Sequence, residues 1–579
     1  MKLYIISKAS TLNEGFVESL QPNDIIVYTD HSVYFKLRST FAKNIISFDE
    51  ILSKEELAEV DKFNYKTKKI WYRTREGVDL SLWQDISLGE ISEFSVGILL
   101  NTPIKWLFTL GKLLSKNRID SLLTDYDASL IESEVINIFC RKNGLEKRYL
   151  MNNERNLFSL KMFNRKGTLS NIQAWSFAII RQIKKILRTK MKPRKSGLPS
   201  IGLWPYSSPL INYDGEIVDL FRIEKGLSSP FERIYYSRLG QSRYLTKVKE
   251  AVTLETKIFD QDYGDDLEAM IFKHIDDKWP GYMGDYISQR RLFANKKMKL
   301  LIVLSDEPDE AKIAISAAHS LGIKSLVIQH GYFLTLDNLD DLQRADYRLV
   351  HNEYIARELV KRGVNNEKII VTGMLFANES RIVSRVAGEQ KPMILICTCP
   401  QLFQSSIVGQ THSGKYLEIA LEACKGLKQF ELLIKLHPCE SLDYYERLIK
   451  AAFGEYKNIK LCHNNKIKEL IAGSSLVVSP MSTVIFETMV QEKPVVCLNI
   501  IEAYQIPPFD GKSDVLTVNN VSALKDSIFE LLNGTSRVKE YPFLSKYIGD
   551  VNVPSIKKMT EAMTRLKVMD VLVSNGRCQ

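Results

Sequence analysis

Residues 431–441, ELLIKLHPCES, contain a histidine followed by a proline at the end of an apolar run. The run predicts a short buried strand, because it is too brief for a helix and helix-like sequence follows from Ser441. Pro438 cannot continue a strand ladder and holds the preceding residue in an extended conformation. His437 should therefore project from the carboxyl edge of its strand, where open α/β sheets bind ligands. On these residues alone, a loop histidine bonded to neighbouring backbone is the simpler interpretation.

A second candidate for ligand binding is the stretch SSLVVSPMSTVIFE, residues 474–487. It predicts a strand, a turn, and then a helix with Ser482 or Thr483 as its N-cap. The start of a helix offers unpaired backbone N–H groups and the positive end of the helix dipole, which suit a phosphate, and the two hydroxyl groups add donors. Simple capping, worth about 1 kcal/mol to the helix, is compatible with this interpretation.

These two motifs can act on the same ligand. Their strands belong to the same predicted sheet, so the carboxyl ends of both can converge on one phosphate group. Lys435 would add positive charge if its side chain turned towards that group. The second motif therefore favours His437 as a phosphate ligand over the simpler interpretation.

Side chains that could accept a proton follow other predicted strands. Asp306 and Glu307 lie in LSDEPDE, and His330 lies in IQHGY, where the following glycine allows a sharp backbone turn. A capping turn before the helix at Pro308 is an alternative role for the two carboxylates. We predict no metal site and no cofactor, because the Asp-x-Asp triplet after the strand near residue 124 is a common chance pattern and the Cys-x-Cys pair at 397 has no second pair at zinc-ligand spacing.

The elements that position these residues alternate between short apolar runs and helical segments from residue 299 to residue 500. That pattern predicts parallel sheets with crossover helices, in two successive α/β Rossmann-like units that end near Gly373 and begin again at MILICTCP, residues 393–400. KLYIIS, DIIVYTD and DSLLTDYD in the N-terminal part also predict strands. We therefore expect an N-terminal Rossmann-like domain over 1–385, a C-terminal Rossmann-like domain over 386–555, and a C-terminal helix over 556–579 that packs back on the first domain.

The net charge of +10 is concentrated in one segment. Residues 155–213 contain twelve Lys and Arg and no Asp or Glu. On a helical wheel, an apolar face that includes Trp175 lies opposite a basic face of Arg181, Lys184, Lys185 and Arg188. This arrangement is typical of a helix on an anionic membrane surface, and a core-packed helix with a basic solvated face is an equal alternative. We expect the segment to belong to a helical, basic insertion at about 150–295 that binds a membrane or an acceptor, and no nucleic-acid-binding module accompanies it.

Length and composition restrict the class of protein. A chain of 579 residues is too long for one core, and 45% hydrophobic and 26% charged residues are typical of a globular protein. The sequence contains no uncharged apolar run of 18 residues and no apolar run at its start long enough for a signal peptide. Eight scattered cysteines indicate reduced core residues. We expect a cytoplasmic protein that associates peripherally with the inner face of the membrane.

The segments VIQHGY, IIVTG, KLHP and GSSLVVSPMSTVIFETMVQEKPVV together resemble bacterial surface-polysaccharide glycosyltransferases of GT-B type. These include capsule and lipopolysaccharide transferases, sialyltransferase-like enzymes with a His-Pro motif, and the glycerophosphotransferases of teichoic-acid synthesis. The resemblance implies a GT-B fold, which is two Rossmann-like domains facing each other across a cleft.

The resemblance also implies roles for individual residues. His437 would contact the phosphate of a nucleotide-activated donor, Glu487 would bond the donor ribose, and His330 would have a catalytic or acceptor-binding role. The chain has no Gly-rich loop after its first strand, and CTCPQLFQSS occupies the equivalent place in the second domain, where Thr398 could contact the donor. The identity of the nucleotide base is left open by that departure.

The resemblance thus implies a metal-independent, inverting glycosyltransferase that extends a lipid-linked or growing surface glycan. It also implies that the N-terminal domain binds the acceptor and the C-terminal domain binds the nucleotide-sugar. The enzyme's partners would be a nucleotide-sugar donor, a glycan or glycolipid acceptor and an anionic membrane surface. Two other enzymes share the expected architecture: a nucleotide-sugar 2-epimerase, and a CDP-glycerol-type glycerophosphotransferase. A scaffold that binds glycan or membrane and has lost the chemistry is the non-enzymatic alternative.

Overall fold

The computed structural model describes most of the chain outside the basic segment. The described residues are 1–38, 44–128, 130–150, 200–203, 219–222, 244–254, 256–276, 278–329, 344–374, 392–398, 411–437, 440–454, 458–463, 466–501, 507–533, 541, 543–550, 552–553, 557–558 and 561–562. Three parallel sheets organise them into an N-terminal region (1–150), a middle region (200–374) and a C-terminal region (392–533).

The N-terminal region is built on a five-stranded sheet. Its strands are β1 (Lys2–Ile6), β2 (Ile25–Tyr28), β3 (Ile45–Ser47), β4 (Leu82–Trp83), β5 (Ile86–Ser87), β6 (Ser121–Thr124) and β7 (Glu146–Tyr149), and its helices are α1 (Glu14–Ser19), α2 (His31–Leu37), α3 (Lys54–Ile70), α4 (Leu88–Lys116) and α5 (Ile131–Asn143). The sheet order is β3-β2-β1-β6-β7, all parallel, and β4 and β5 form a separate hairpin. Alternate residues of β1 pack into cores on opposite faces, as expected for a strand covered on both sides.

The middle region contains a six-stranded sheet and a layer of helices. Its elements are β8 (Ser200–Leu203), β9 (Asp219–Arg222), β10 (Lys257–Ile258), β11 (Gln261–Asp262), α6 (Gly264–Asp276), α7 (Trp279–Asn295), β12 (Met298–Val303), α8 (Asp309–His319), β13 (Lys324–Ile328), β14 (Tyr347–Val350), α9 (Glu353–Lys361) and β15 (Ile369–Val371). The order is β15-β14-β13-β12-β8-β9, all parallel, and β10 and β11 pair as a hairpin.

The C-terminal region contains a second six-stranded parallel sheet. Its elements are β16 (Met393–Cys397), α10 (His412–Ala423), β17 (Glu431–Lys435), α11 (Leu442–Phe453), β18 (Ile459–Cys462), α12 (Ile467–Gly473), β19 (Leu476–Ser479), α13 (Thr483–Val490), β20 (Val495–Leu498), β21 (Thr517–Val518) and α14 (Val521–Leu532), followed by the short helix α15 (Leu544–Ile548). The strand order β18-β17-β16-β19-β20-β21 reverses direction between β16 and β19. The crevice for a ligand in such a sheet lies at that point, beyond the carboxyl ends of the strands.

The predicted α/β class is confirmed, and the two Rossmann-like units predicted between 299 and 500 are found in the middle and C-terminal regions. One difference concerns the part before residue 385, where a single sheet with a helical insertion was expected. The structure has two sheets there. Within the expected insertion, β8 pairs with β12 and β9 pairs with β8, so both strands extend the second sheet. The exact domain boundaries stay predictions.

The N-terminal and middle regions share one hydrophobic core. Inward residues of β1 and of β12 belong to the same buried cluster, with α4 and α7 between the two sheets. Trp71 packs on Trp279 with ring centroids 6.0 Å apart, and the indole N–H of Trp279 donates to the Ser92 hydroxyl at 3.0 Å. The N-terminal and middle regions are therefore packed together around one continuous core.

The N-terminal region also docks on the C-terminal region through α2. Phe35 is only 8% exposed, because its ring enters the core formed by α10, α11 and one face of the C-terminal sheet. The Nε2 atom of His31 donates a hydrogen bond to a carboxylate oxygen of Glu418 on α10 at 2.8 Å. Gly414 permits this close approach, since a Cβ atom there would overlap the His31 side chain. A glycine near the start of α10 is thus required by packing between regions.

A buried carboxylate adds to this contact. Asp49 accepts hydrogen bonds from the backbone N–H of Thr411 at 2.9 Å, from its hydroxyl at 2.6 Å and from Lys105 at 2.8 Å. Burial raises the pKa of Asp49, but the charges of Lys105 and His412 and these hydrogen bonds outweigh it and lower the pKa to about 2. Asp49 therefore stays ionised at neutral pH and fixes the start of α10 against the N-terminal region.

The middle and C-terminal regions meet where the chain passes between them. Residues of α9 share a core with the face of the C-terminal sheet that α13 covers. The backbone of Met374 donates to the Ile548 carbonyl at 2.7 Å, and Asn352 donates to the Tyr547 carbonyl at 3.1 Å. Gly373 and Gly549 lie so close that no side chain fits between them, and both have positive φ.

Two further predictions concern the membrane and the C-terminus. None of the helices in the described ranges is both long and apolar enough to cross a membrane. The predicted amphipathic helix, with Trp175 on its apolar face and Arg181, Lys184, Lys185 and Arg188 on its basic face, lies outside the described residues. So does most of the C-terminal helix predicted over 556–579.

Candidate functional site

Three strands of the C-terminal sheet end side by side at the candidate site. β16, β17 and β18 are parallel neighbours, so Thr398, His437 and His463 follow strands at the same edge. The structure confirms a strand that ends just before His437 and a helix after Ser441. His437 therefore lies next to the point where the strand order reverses, as its sequence position indicated.

A carboxylate that the sequence analysis did not select organises the loop after β17. Glu440 accepts hydrogen bonds from the His437 backbone N–H at 2.8 Å, from the Tyr445 hydroxyl at 2.6 Å and from the Thr398 hydroxyl. The backbone of Glu440 in turn donates to the His437 carbonyl at 2.9 Å. The loop is thereby closed on itself and tied to the end of β16.

The other side of this loop is held by hydrogen bonds from Lys435 and His463. Lys435 is buried and donates to the carbonyls of Leu436 at 2.6 Å and His463 at 2.9 Å. The Nε2 atom of His463 lies 3.2 Å from the His437 carbonyl oxygen and donates to it. The Lys435 amine thus supports the backbone, in addition to placing a positive charge near the edge of the sheet.

The imidazole of His437 has a lowered pKa. Burial is the largest cause, and the charges of Lys435 and His463 act in the same direction. The ring is therefore neutral at pH 7 in the protein alone. A phosphate group beside it would favour the protonated form and restore part of that loss.

The second motif begins a helix as predicted. Ser482 is the N-cap of α13, and its hydroxyl accepts from the Val484 backbone N–H at 3.3 Å. Thr483 is the first helical residue, so α13 presents its N-terminus at the same edge of the sheet as His437. That end can offer N–H donors and the positive end of the helix dipole to a phosphate.

Glu487 and Thr398 complete the predicted donor residues. Burial raises the pKa of Glu487, against the opposing charge of Lys468. Burial is the main cause that raises the pKa of the Cys397 thiol at the end of β16, and the charge of Glu487 contributes in the same direction. Thr398 is 8% exposed, and its hydroxyl bonds Glu440 and the Lys435 carbonyl. Thr398 therefore acts as a support for the loop in this structure.

The predicted catalytic residues have different environments. Asp306 is fully buried, and its carboxylate accepts from Arg348 at 2.6 Å and from the Ala345 backbone N–H at 3.3 Å. An enclosed, ion-paired carboxylate is poorly placed to reach an acceptor hydroxyl, so the structure favours a structural role for Asp306. Glu307 is half-buried just before α8, and His330 lies outside the described residues. The roles of Glu307 and His330 stay predictions.

Asp125 also has a defined structural role. Its carboxylate accepts from the backbone N–H groups of Ser7 at 2.7 Å and Lys8 at 2.9 Å and from the Thr11 hydroxyl at 2.7 Å. Within the described part of the chain, no three His, Cys, Asp or Glu side chains come together as a metal site. Asp125 thus ties the end of β6 to the residues that follow β1.

Searches of known proteins give similarities of fold only. No family model matches the sequence, and no curated protein matches it. Solved structures that are similar include the UDP-GlcNAc 2-epimerase of Neisseria meningitidis bound to UDP-GlcNAc, with 14% identity over 64% of this chain and 100% of that chain and a TM-score of 0.41. The UDP-GlcNAc 2-epimerase of Methanocaldococcus jannaschii is 13% identical over 63% of this chain and 99% of that chain, with a TM-score of 0.42. A glycosyltransferase of Rickettsia africae is 12% identical over 64% of this chain and 99% of that chain, with a TM-score of 0.37.

Proposed function

We propose that the protein is a GT-B glycosyltransferase. It moves a sugar from a nucleotide-activated donor to a lipid-linked or growing surface glycan, such as a capsule or lipopolysaccharide chain, at the cytoplasmic face of the membrane. The transfer is metal-independent and inverting, with the donor phosphate held at the edge of the C-terminal sheet.

One observation supports this proposal above the others. A histidine in a rigidly bonded loop and the N-terminus of α13 lie at the same edge of one Rossmann-like sheet, beside its point of strand reversal. Backbone N–H groups, hydroxyls and an imidazole that can gain a proton are the groups that bind and stabilise a leaving phosphate. In this proposal, Glu487 accepts hydrogen bonds from the ribose hydroxyls of the donor.

The acceptor side of the proposal depends on residues outside the described ranges. His330 would act as the base for the acceptor hydroxyl, with Glu307 as the alternative. The basic face of Arg181, Lys184, Lys185 and Arg188, with Trp175 opposite, would hold the enzyme at anionic lipid beside its acceptor.

Thermal stability with nucleotides is expected to identify the donor class. Wild type and His437→Ala are melted with CMP, CDP, UDP and GDP and with their sugar conjugates. A ligand that binds only the folded state at 100 times its dissociation constant adds about 2.7 kcal/mol of stability. We expect one nucleotide to raise the melting temperature of wild type and to raise that of His437→Ala much less.

The same variant is then assayed for products. Loss of His437 should lower turnover about tenfold or more, which is roughly 1.4 kcal/mol in the barrier. Glycan-dependent release of the nucleotide supports the transferase, while conversion of the donor sugar without any acceptor would indicate the 2-epimerase. Transfer of glycerol phosphate from CDP-glycerol would indicate the glycerophosphotransferase. Stabilisation by none of the nucleotides would contradict the donor site and favour the scaffold.

The affinity for the donor nucleotide is expected to rise as the pH falls. The pKa of His437 in the free protein lies below its ordinary value of 6.5, and a bound phosphate should raise it. Binding then takes up a proton, so the affinity increases as the pH falls from the pKa of His437 in the complex towards its lower pKa in the free protein. The total gain is up to about tenfold for each pH unit that separates these two pKa values.

Calorimetric titrations at several pH values from about 8 to about 5.5 measure this effect. The terminal phosphate of a nucleotide also titrates near pH 6, so the informative quantity is the ratio of wild-type affinity to His437→Ala affinity. A ratio that does not change with pH would show that His437 does not bind the phosphate as an imidazolium.

A further inference from the structure

Glu440 makes more hydrogen bonds than a loop residue before a helix requires. Its two oxygens accept from the His437 backbone, from the Thr398 hydroxyl and from the buried Tyr445 hydroxyl. The donors come from three elements: the loop after β17, the end of β16 and α11. One carboxylate therefore fixes the relative positions of the two strand ends and of the helix that follows them.

A second set of hydrogen bonds, from Lys435 and His463, holds the backbone on the opposite side of the loop from Glu440. Lys435 and His463 hold the carbonyls of Leu436 and His437, while Glu440 holds the His437 N–H. The peptide groups on both sides of the His437 Cα atom are thus fixed by side chains. The direction in which the imidazole projects is set by that backbone, because the two dihedral angles of His437 have little freedom left.

Helix capping does not account for these contacts. The N-cap of α11 is Ser441, and its side chain makes no capping hydrogen bond. A negative charge near the start of α11 would stabilise the helix by interaction with its dipole, but this effect requires no defined partners. A carboxylate also disfavours a phosphate nearby, so its presence beside a phosphate site calls for a compensating gain.

We propose that Glu440 is a positioning residue for donor binding, which holds the His437 loop and Thr398 in the geometry that receives the donor phosphate. This inference rests on the proposed function, since it assumes that His437 contacts that phosphate. The gain is geometric: a displacement of about 1 Å at a binding group can cost as much as 100-fold in rate.

Two substitutions separate position from charge. Glu440→Asp keeps the charge and the two acceptor oxygens but shortens the side chain by one methylene, so the loop must move or lose its bonds. Glu440→Gln keeps the length and can still accept from His437 and Thr398 through its amide oxygen, while its NH₂ group donates to Tyr445. Glu446→Gln is the matched control, because Glu446 is an exposed carboxylate on α11.

The dissociation constants of CMP, CDP, UDP and GDP are measured by calorimetry at 25 °C, where each variant is first shown to be folded by its melting temperature. For the nucleotide that binds wild type, we expect Glu440→Asp to bind about tenfold more weakly or worse, and Glu440→Gln and Glu446→Gln to stay within about threefold. Tyr445→Phe, which removes one bond from the far oxygen, should weaken binding less than Glu440→Asp. If Glu440→Asp does not fold, the same comparison is made with Tyr445→Phe, for which unchanged affinity overturns the proposal.

The other outcomes are decisive. Unchanged affinity in Glu440→Asp, with a lower melting temperature, would show a stabilising role only and overturn the proposal. Loss of affinity in Glu440→Gln but not in Glu440→Asp would show that the charge acts and would overturn it as well. If His437→Ala binds as wild type does, or wild type binds none of the four nucleotides, the proposed function fails and this inference fails with it. Lost binding in His437→Ala with unchanged binding in Glu440→Asp overturns only the role of Glu440.

Discussion

Replacing Asp306 with alanine is expected to lower the free energy of unfolding by about 3–5 kcal/mol, because it removes the carboxylate that faces a buried guanidinium. Asp306 is fully buried and Arg348 is 4% exposed, with 2.6 Å between the Arg348 Nη2 and the Asp306 Oδ2 atoms. Breaking one side of such a pair leaves a charge in a site from which water is excluded. Urea unfolding of wild type and variant measures the difference.

Two further variants give this measurement its controls. In Asp306→Ala/Arg348→Met both charges are absent, so most of the lost stability should return, which a double-mutant cycle quantifies. Glu307→Gln, one residue along, should change stability by about 0.5 kcal/mol or less. An Asp306→Ala protein with native stability and strongly reduced turnover would instead restore Asp306 as the catalytic base.

Replacing Phe35 with alanine should separate the unfolding of the N-terminal and C-terminal regions. The ring is inserted into the core of the C-terminal region and lies 6.4 Å from Phe453 of α11, measured between ring centroids. Removing a buried phenylalanine typically costs about 3–5 kcal/mol, and here the loss falls on the contact between two regions. Scanning calorimetry should therefore resolve a transition at lower temperature that wild type does not show.

Phe529 provides the control for this experiment, since it lies on α14 of the same region and is 68% exposed. Phe529→Ala should change the unfolding profile by no more than about 0.5 kcal/mol. If Phe35→Ala unfolds in the same single transition as wild type at an unchanged temperature, the docking of α2 contributes nothing to stability. Small-angle scattering of the two variants would show whether the regions also move apart.

The strands of the middle and C-terminal regions could be predicted from sequence for a physical reason. Strands covered on both faces, such as β16 and β19, are short continuous apolar runs, and the turns after them contain proline or capping residues. The cap at Ser482 was predictable in the same way, because capping depends on residues that are neighbours in sequence.

The third sheet was not predictable to the same degree. β8 and β9 are four-residue strands in and just after a long basic stretch. β8 pairs with β12 from about 100 residues away, and β9 pairs with β8. The pattern of neighbouring residues does not indicate which distant strand a segment will pair with. The composition around them favoured helices, and the pairing that makes them strands is a tertiary interaction.

The same distinction applies to the site. His437 was identifiable because the following proline restricts its own backbone. Glu440 and His463 were missed, although each stands within one residue of a predicted strand or helix end, because their roles depend on which strands lie side by side. Lys435 was selected for its charge. Its buried side chain also donates to two carbonyls, one of them in His463, and that contact could not be foreseen without the position of β18.

The three hydrophobic cores shared between regions form a closed ring: the N-terminal region with the middle one, the middle with the C-terminal one, and the C-terminal with the N-terminal one through Phe35. Three bodies joined in a ring cannot change one joint while the other two stay intact. A rotation of the C-terminal region about the crossing at Gly373 and Gly549 must therefore withdraw Phe35 or shear the first core. The edge that carries His437 is thereby held in register with the N-terminal region, and its geometry is set by residues more than 400 positions earlier in the chain.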